Sequence, residues 1–122
     1  MFKNILFSMM FLVSSVLANT LALEDNGGTW NVTYSSEEMI AGFQFNVDGA
    51  TVNSASGGDA TANGFMISAN ATTVLGFSMS EDKIPAGEGA LTTLGLSGVP
   101  IGLSGIIVSN PYGEDMGFKY SP

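Results

Sequence analysis

The sequence predicts an all-β domain, an antiparallel β-sandwich with little or no helix outside a predicted signal peptide at residues 1–18. First, apolar and polar residues alternate in short runs, the pattern of strands with one buried face. Second, turn-forming pairs such as Asp48-Gly49 separate these runs at short, regular spacing. Third, only 11% of the residues are charged, so the chain lacks the Glu, Lys and Arg that normally cover exposed helices.

The alternation also predicts which side chains face the core. Trp30, Val32 and Tyr34 share one face of the first run, where core packing is favoured. In the second run, the apolar side chains stand opposite Gln44 and Asn46. The predicted strands are residues 29–34, 40–47, 50–55, 65–68, 73–79, 90–96, 103–109 and 118–120, with loops at 56–59 and 81–89. The apolar faces of two runs are Ala41, Phe43, Phe45 and Val47, and Leu75, Phe77 and Met79 with Thr73.

The first residues predict an export signal rather than part of the fold. Lys3 precedes an apolar run over residues 5–17, and small residues follow where a signal peptidase cuts. The run is too short for a comfortable membrane span of about 20 residues. We therefore expect a signal peptide at 1–18 (alternative cut after 22), a short linker at 19–28, and a single domain at 29–122. The mature protein is expected to have no membrane span and to be secreted or held at the cell surface.

Charge and composition narrow the classes of function. The formal net charge is −8, and Lys3, Lys83 and Lys119 are the only basic side chains. Binding to nucleic acid through its phosphates is therefore not expected. The chain has no His and no Cys, which removes Ser-His-Asp and Cys-His catalysis, disulfides and cysteine metal sites.

Several segments in order resemble the central part of cohesin-type domains. They are GFQF at 42–45, the Gly64-Phe65 pair, VLGFS at 74–78, and IPAGEG at 84–89 followed by Leu91. The similarity covers residues 29 to 109. It implies a jelly-roll β-sandwich related to carbohydrate-binding modules, shortened here because little chain precedes Trp30. It also implies a non-catalytic module that engages a dockerin-like protein module or a polysaccharide.

Candidate binding residues are those free to face a partner. Gln44 and Asn46 lie on the polar side of their strand, and Asp48 lies at the turn that ends it. Tyr112 lies in a loop and Tyr120 near the chain end, where an aromatic ring can stack on a sugar.

The sequence predicts no cofactor other than a possible calcium ion, which the carboxylates in the loops could bind. Asp48, Glu114 and Asp115 are the candidate ligands, although a plain solvated turn is the better interpretation. Asn31 and Asn70 begin Asn-x-Thr sequons, which matter only in a host that glycosylates exported proteins.

Two other functions stay open. One is a structural extracellular subunit that self-assembles into a surface layer or filament through exposed strand edges. The other, less favoured, is a small glycosidase-like enzyme that uses paired carboxylates from Glu81-Asp82, Glu88 and Glu114-Asp115.

Overall fold

The computed structural model describes residues 16–122, so residues 1–15 of the predicted signal peptide lie outside the described part. The strands run in the order β1 to β9, and one short helix, α1, lies between β4 and β5. Their bounds are β1 Thr20–Asp25, β2 Trp30–Ser36, β3 Gly42–Asp48, β4 Thr51–Ser56, α1 Gly58–Ala62, β5 Phe65–Ala69, β6 Thr73–Ser78, β7 Gly87–Ser97, β8 Gly102–Ser109 and β9 Lys119–Tyr120. Over residues 16–122, no helix is long and apolar enough to cross a membrane.

The strands form two sheets that face each other, which confirms the predicted β-sandwich. One sheet has five strands in the order β4-β7-β2-β1-β9, and the other has four in the order β5-β6-β3-β8. All pairs are antiparallel except β1 with β9, which is parallel. Since consecutive strands often lie in different sheets, the chain crosses the sandwich repeatedly, as in a jelly roll.

The two inner faces supply one continuous core. The four-stranded sheet contributes three phenylalanines, and the rings of Phe45 and Phe65 each stack on Phe43 with centroids 6.1 and 6.2 Å away. The five-stranded sheet contributes mainly aliphatic side chains that are fully buried, among them Leu21, Val32, Leu91 and Leu94. Aromatic pairs of this kind stabilise a core beyond the area that they bury.

The prediction of a linker at 19–28 is wrong, because this segment contains β1. Leu21 of β1 is fully buried, and all six residues of the strand pair with β2. Thr20 and Leu21 also pair with β9 on the other side. The sequence does not reveal this strand, because its burial comes from pairing with β2 and with β9, which lies at the opposite end of the chain.

The helix α1, Gly58–Ala62, begins within the predicted loop at 56–59. Its Asp59 accepts a hydrogen bond from the hydroxyl of Tyr34, with Oδ2 and the phenolic oxygen 2.5 Å apart. Burial, together with this bond and the nearby carboxylate charge, raises the pKa of Tyr34 above its ordinary value. Gly58 adopts a positive φ of 70°, and a Cβ there would lie 2.5 Å from the Leu91 carbonyl oxygen. Glycine at this position therefore lets α1 approach β7.

Candidate binding face

The outer face of the four-stranded sheet is built around β3, whose side chains alternate as predicted. Phe43, Phe45 and Val47 are buried in the core. Gln44 is exposed on the opposite side, and Asn46 lies on that side half-buried. We call this outer surface the β5-β6-β3-β8 face.

The facing of β6 differs from the apolar alternation in the sequence. Leu75 and Phe77 lie on the outside, whereas Val74 and Gly76 point inward, and Met79 is exposed just after the end of the strand. The reason is a contact that the sequence does not display, because the ring of Phe43 lies directly beneath Gly76. A Cβ on Gly76 would lie 2.2 Å from Phe43 Cζ, so no other residue fits there without movement.

Four large apolar side chains are consequently exposed on the β5-β6-β3-β8 face. They are Phe77, Leu75, Ile107 and Met66, which are 38, 40, 48 and 53% exposed. Cross-strand pairing places Met66 beside Phe77, and Leu75 beside Gln44, which in turn pairs with Ile107. The apolar residues therefore lie on β5, β6 and β8, and the exposed amide of Gln44 on β3 separates Ile107 from the others.

A shallow hollow of about 190 Å³ lies in this patch, with Gly42, Leu75, Phe77 and Ile107 among its lining residues. Gly42 pairs with Phe77 on one side and Ser109 on the other. Because glycine has no side chain, nothing projects from the centre of the row between Phe77 and Ser109. Such a depression can accept a side chain from another molecule.

Hydrogen bonds hold the polar end of the face in place. The Thr73 hydroxyl donates to Asn46 Oδ1 over 2.8 Å, and the Ser104 hydroxyl donates to Asp48 Oδ1 over 2.9 Å. Gln44, in contrast, makes no side-chain hydrogen bond within residues 16–122. The amide of Gln44 is therefore available to a partner.

The two tyrosines lie elsewhere. Tyr112 is 84% exposed and lies in a loop after β8. Its backbone amide donates a hydrogen bond to Oδ1 of the buried Asn110. Tyr120 belongs to β9 in the five-stranded sheet and packs half-buried against the core. A Cβ on Gly102 would lie 3.1 Å from the Tyr120 ring, which shows how closely β8 approaches it. The structure brings Gln44, Asn46 and Asp48 together but places neither tyrosine among them.

The candidate calcium ligands do not form one cluster. Among residues 16–122, no three Asp or Glu side chains are grouped as a metal ion would require. Glu114 Oε1 accepts a hydrogen bond from the Asn110 amide over 2.9 Å, and Asp115 Oδ1 accepts one from the Gly117 backbone amide over 2.9 Å. These carboxylates order their loop, and calcium binding by Asp48, Glu114 and Asp115 stays a prediction of the sequence.

Comparisons with known proteins yield a fold likeness. No protein-family model matches the sequence, and no curated protein matches it. A solved non-cellulosomal cohesin from the hyperthermophilic archaeon Archaeoglobus fulgidus superposes with a TM-score of 0.60 at 14% identity, over 83% of this chain and 84% of that one. The domain has a cohesin-like fold. A chain of the CaDoc0917–CaCohA2 complex resembles this cohesin-like domain with a TM-score of 0.57 at 15% identity, over 84% of this chain and 94% of that one.

The exposed apolar side chains are the part of the face that sequence reasoning missed. Of the five predicted binding residues, Gln44, Asn46 and Asp48 lie on this face, whereas Tyr112 and Tyr120 do not. Leu75 and Phe77 form a regular apolar alternation that is typical of a core-facing strand. The one usable signal is Gly76, since a glycine within a strand often marks the close approach of another group.

Proposed function

We propose that the chain is exported and acts as a non-catalytic binding module, with a dockerin-like protein module as the partner of its β5-β6-β3-β8 face. The observation that carries this proposal is the group of four exposed apolar side chains on β5, β6 and β8, which lie around Gln44 of β3. The cohesin-like fold supports it, because one of the similar structures is a cohesin–dockerin complex. Fold alone does not fix function, so the argument depends on the face itself.

The composition of the face fits a protein partner. Soluble monomers rarely expose large contiguous apolar patches, and those that do usually bind another macromolecule there. Leu75, Phe77 and Ile107 supply an apolar centre, while Gln44 supplies hydrogen-bonding groups inside it. An apolar centre with few charges and a polar rim is the usual anatomy of a protein interface.

Charge sets a second condition on the partner. The formal charge of the chain is −8, and the side chains of the β5-β6-β3-β8 face include the carboxylate of Asp48 but neither of the lysines at 83 and 119. A partner with basic residues around an apolar anchor would associate faster, and salt would reduce that rate.

A polysaccharide is a weaker fit to the same face. Sugar-binding platforms rely on exposed aromatic rings, and Phe77 is the aromatic residue among the four exposed apolar side chains. Tyr112 is more exposed but lies in a separate loop. A polysaccharide site at Tyr112 is therefore a second candidate, to be tested beside the first.

The way β1 begins indicates where the exported chain would be cut. The Asn19 carbonyl accepts a hydrogen bond from the Lys119 amide, and Asn19 Oδ1 accepts one from the Glu37 amide over 2.8 Å. A cut after residue 18 leaves these contacts and all of β1 intact, whereas a cut after 22 removes the buried Leu21. We therefore infer a mature chain that starts at Asn19.

The test is a binding screen of the purified mature domain against a panel of immobilised dockerin modules. We expect at least one module to bind, and Leu75→Asp to weaken that binding by about a hundredfold, the size expected for a central interface residue. Thr51→Asp is the matched control, since it adds the same charge at an exposed position of the five-stranded sheet and should bind like the wild type. Ile107→Asp on β8 is the second face variant, and a thermal melt checks that each variant is folded.

The other outcomes each contradict the proposal. Silence across the panel, or binding that Leu75→Asp and Ile107→Asp leave unchanged, removes the dockerin-like partner. Binding on a polysaccharide array that is lost in Tyr112→Ala would replace it with the second candidate. A mass that rises with concentration in light scattering, and falls to the monomer in Leu75→Asp, would make a second copy of the chain the partner.

A further inference from the structure

The two Asn-x-Thr sequons lie in very different surroundings. Asn31 lies inside β2, in the middle of the five-stranded sheet, and is half-buried. Asn70 is exposed in the turn that joins β5 to β6, at the end of the four-stranded sheet. The structure can therefore distinguish two sites that the sequence presents as equivalent.

The side chain of Asn70 is oriented by its own turn. Its Oδ1 accepts hydrogen bonds from the backbone amides of Thr72 and Thr73, over 2.9 and 2.8 Å, and one from the Thr72 hydroxyl over 3.3 Å. Since all these partners are donors, they assign the oxygen to the inner side of the turn. The nitrogen, Nδ2, then points away from the turn and makes no hydrogen bond to any of residues 16–122.

The side chain of Asn31 is engaged at both of its atoms. Nδ2 donates to Glu24 Oε1 over 3.3 Å, and Oδ1 accepts from the Thr93 hydroxyl over 2.8 Å. These bonds link β1, β2 and β7 across the outer face of the sheet. A bulky group on Asn31 Nδ2 would have to displace the Glu24 carboxylate that accepts its hydrogen bond.

We propose that Asn70 is an N-glycosylation site of the exported protein and that Asn31 stays unmodified in the folded chain. The donor is a lipid-linked oligosaccharide pyrophosphate. The lone pair of Asn70 Nδ2 forms a C–N bond to the anomeric carbon of the first sugar, and the bond from that carbon to the phosphate oxygen breaks. Its electron pair leaves with the lipid pyrophosphate, and Nδ2 releases one proton.

The position of Asn70 also decides what the glycan would cover. Asn70 follows the pair of Ala69 with Val74, whereas the pair of Met66 with Phe77 lies toward the other end of the same two strands. The glycan would therefore project from the end of the face that carries Thr73 and Asn46, and would leave the apolar end open. The proposal depends on export, which is part of the proposed function, and on a host that glycosylates exported proteins, but not on the identity of the partner.

The test is expression of the full chain, with its leader, in a host whose secretory pathway contains an oligosaccharyltransferase. Intact mass and peptide mapping are measured on the secreted, folded protein before and after an amidase that removes N-glycans. We expect a glycan at Asn70 alone, its complete loss in Asn70→Gln, and no change of mass beyond the substitution itself in Asn31→Gln. Thr33→Val removes the sequon of Asn31 but keeps the Asn31 side chain and its hydrogen bonds. Comparing it with Asn31→Gln shows whether an effect comes from losing the sequon or from disturbing the sheet.

Failure of this proposal is distinguishable from failure of export. If no protein reaches the medium while the chain accumulates in the cells, export and the site that depends on it are both wrong. Secreted protein with an unmodified Asn70 overturns the site alone. Occupancy of Asn31 in folded, secreted protein overturns the discrimination between the two sequons.

Discussion

The two sheets of the sandwich differ on both of their faces. On the inside, the four-stranded sheet packs the stacked rings of Phe43, Phe45 and Phe65, whereas the five-stranded sheet packs aliphatic side chains and Tyr34. On the outside, the four-stranded sheet exposes large apolar residues. The outward groove of the five-stranded sheet is lined instead by small or polar residues, among them Thr20, Ala22, Glu24, Thr33, Ser35, Glu88 and Ala90.

This difference shows that the alternation of apolar and polar residues along a strand does not distinguish a solvent-exposed face from a binding face. Both sheets bury one side and leave the other outside, as antiparallel sheets commonly do. The outward positions of the five-stranded sheet carry small or polar side chains, as a solvated face does. The four-stranded sheet leaves apolar area exposed, which lowers solubility unless a partner covers it. The predictions below test this assignment of inside and outside, from the largest expected effect to the smallest.

The largest effect is expected at Gly76, the inward position of β6. Gly76→Ala places a Cβ within 2.2 Å of Phe43 Cζ and should lower the free energy of unfolding by about 3 kcal/mol, the upper range for overpacking a core. The measurement is the urea midpoint at constant slope. If β6 faced the other way, alanine in an exposed strand position would instead be neutral or stabilising by about 0.5–1 kcal/mol.

Gly42→Ala is the control for this prediction. Gly42 lies in β3, one row from Gly76, but points outward, where its Cβ would meet only the Ser109 hydroxyl at 3.2 Å and the Gly76 carbonyl oxygen at 3.5 Å. The Ser109 hydroxyl can rotate away and gives up only its long 3.4 Å hydrogen bond to the Gly42 carbonyl oxygen, so the change in stability should stay below about 1 kcal/mol. Equal losses in the two variants would mean that inside and outside have been assigned wrongly.

The second effect concerns Tyr34, the polar contact of the five-stranded sheet with α1. Tyr34→Phe removes the hydroxyl that donates to Asp59 and should cost about 1–2 kcal/mol near neutral pH. Burial comes first among the causes that raise the pKa of Tyr34 in the folded state, followed by the Asp59 hydrogen bond and charge. In the unfolded chain the phenol titrates near its ordinary pKa of about 10.

The sign of the pH dependence follows from this difference. Below pH about 10, Tyr34 is protonated in both states and its full contribution to stability is present. Above that pH, the unfolded state loses the proton first, so the stability of the wild type falls as the pH rises. Unfolding curves between pH 8 and pH 11 should therefore show the gap between wild type and Tyr34→Phe narrowing. A gap that widens over this range would contradict the assignment.

The sequence reveals the sandwich but not every strand. The strand around Phe43 and Phe45 is predictable because its alternation is strict and Asp48-Gly49 ends it. β1 is not predictable in the same way, because its Leu21 is buried by contacts with β2 and β9 rather than by a pattern of its own.

The binding face is predictable only in part, for a similar reason. Gln44 and Asn46 follow from the alternation of β3, since an apolar strand face leaves the polar one outside. The facing of β6 does not follow, because both of its sides carry apolar residues, Val74 on one and Leu75 and Phe77 on the other. The non-local contact of Phe43 with Gly76 decides between them. The apolar periodicity describes a single strand, whereas the side of β6 that faces the core depends on its contact with β3.

The smallest effect is expected on the outer side of β3, where one polar residue, Asn46, stabilises the fold and the other, Gln44, is expected to contact the partner. Asn46→Ala loses the hydrogen bond from Thr73 and should lower the free energy of unfolding by about 1 kcal/mol. Gln44→Ala removes an exposed side chain with no such bond and should change stability by less than about 0.5 kcal/mol. Partner affinity should respond in the opposite order, because Gln44 lies between Leu75 and Ile107.

Both variants are to be measured by urea unfolding and by titration of the dockerin module selected in the screen. The diagnostic result is that Asn46→Ala has the lower free energy of unfolding, whereas Gln44→Ala has the lower affinity for the dockerin module. If Gln44→Ala bound as tightly as the wild type while Asn46→Ala lost affinity, the partner would contact the Thr73 end of the face rather than its apolar centre. That end is where a glycan on Asn70 would project, so glycosylated protein should then bind more weakly than the Asn70→Gln variant.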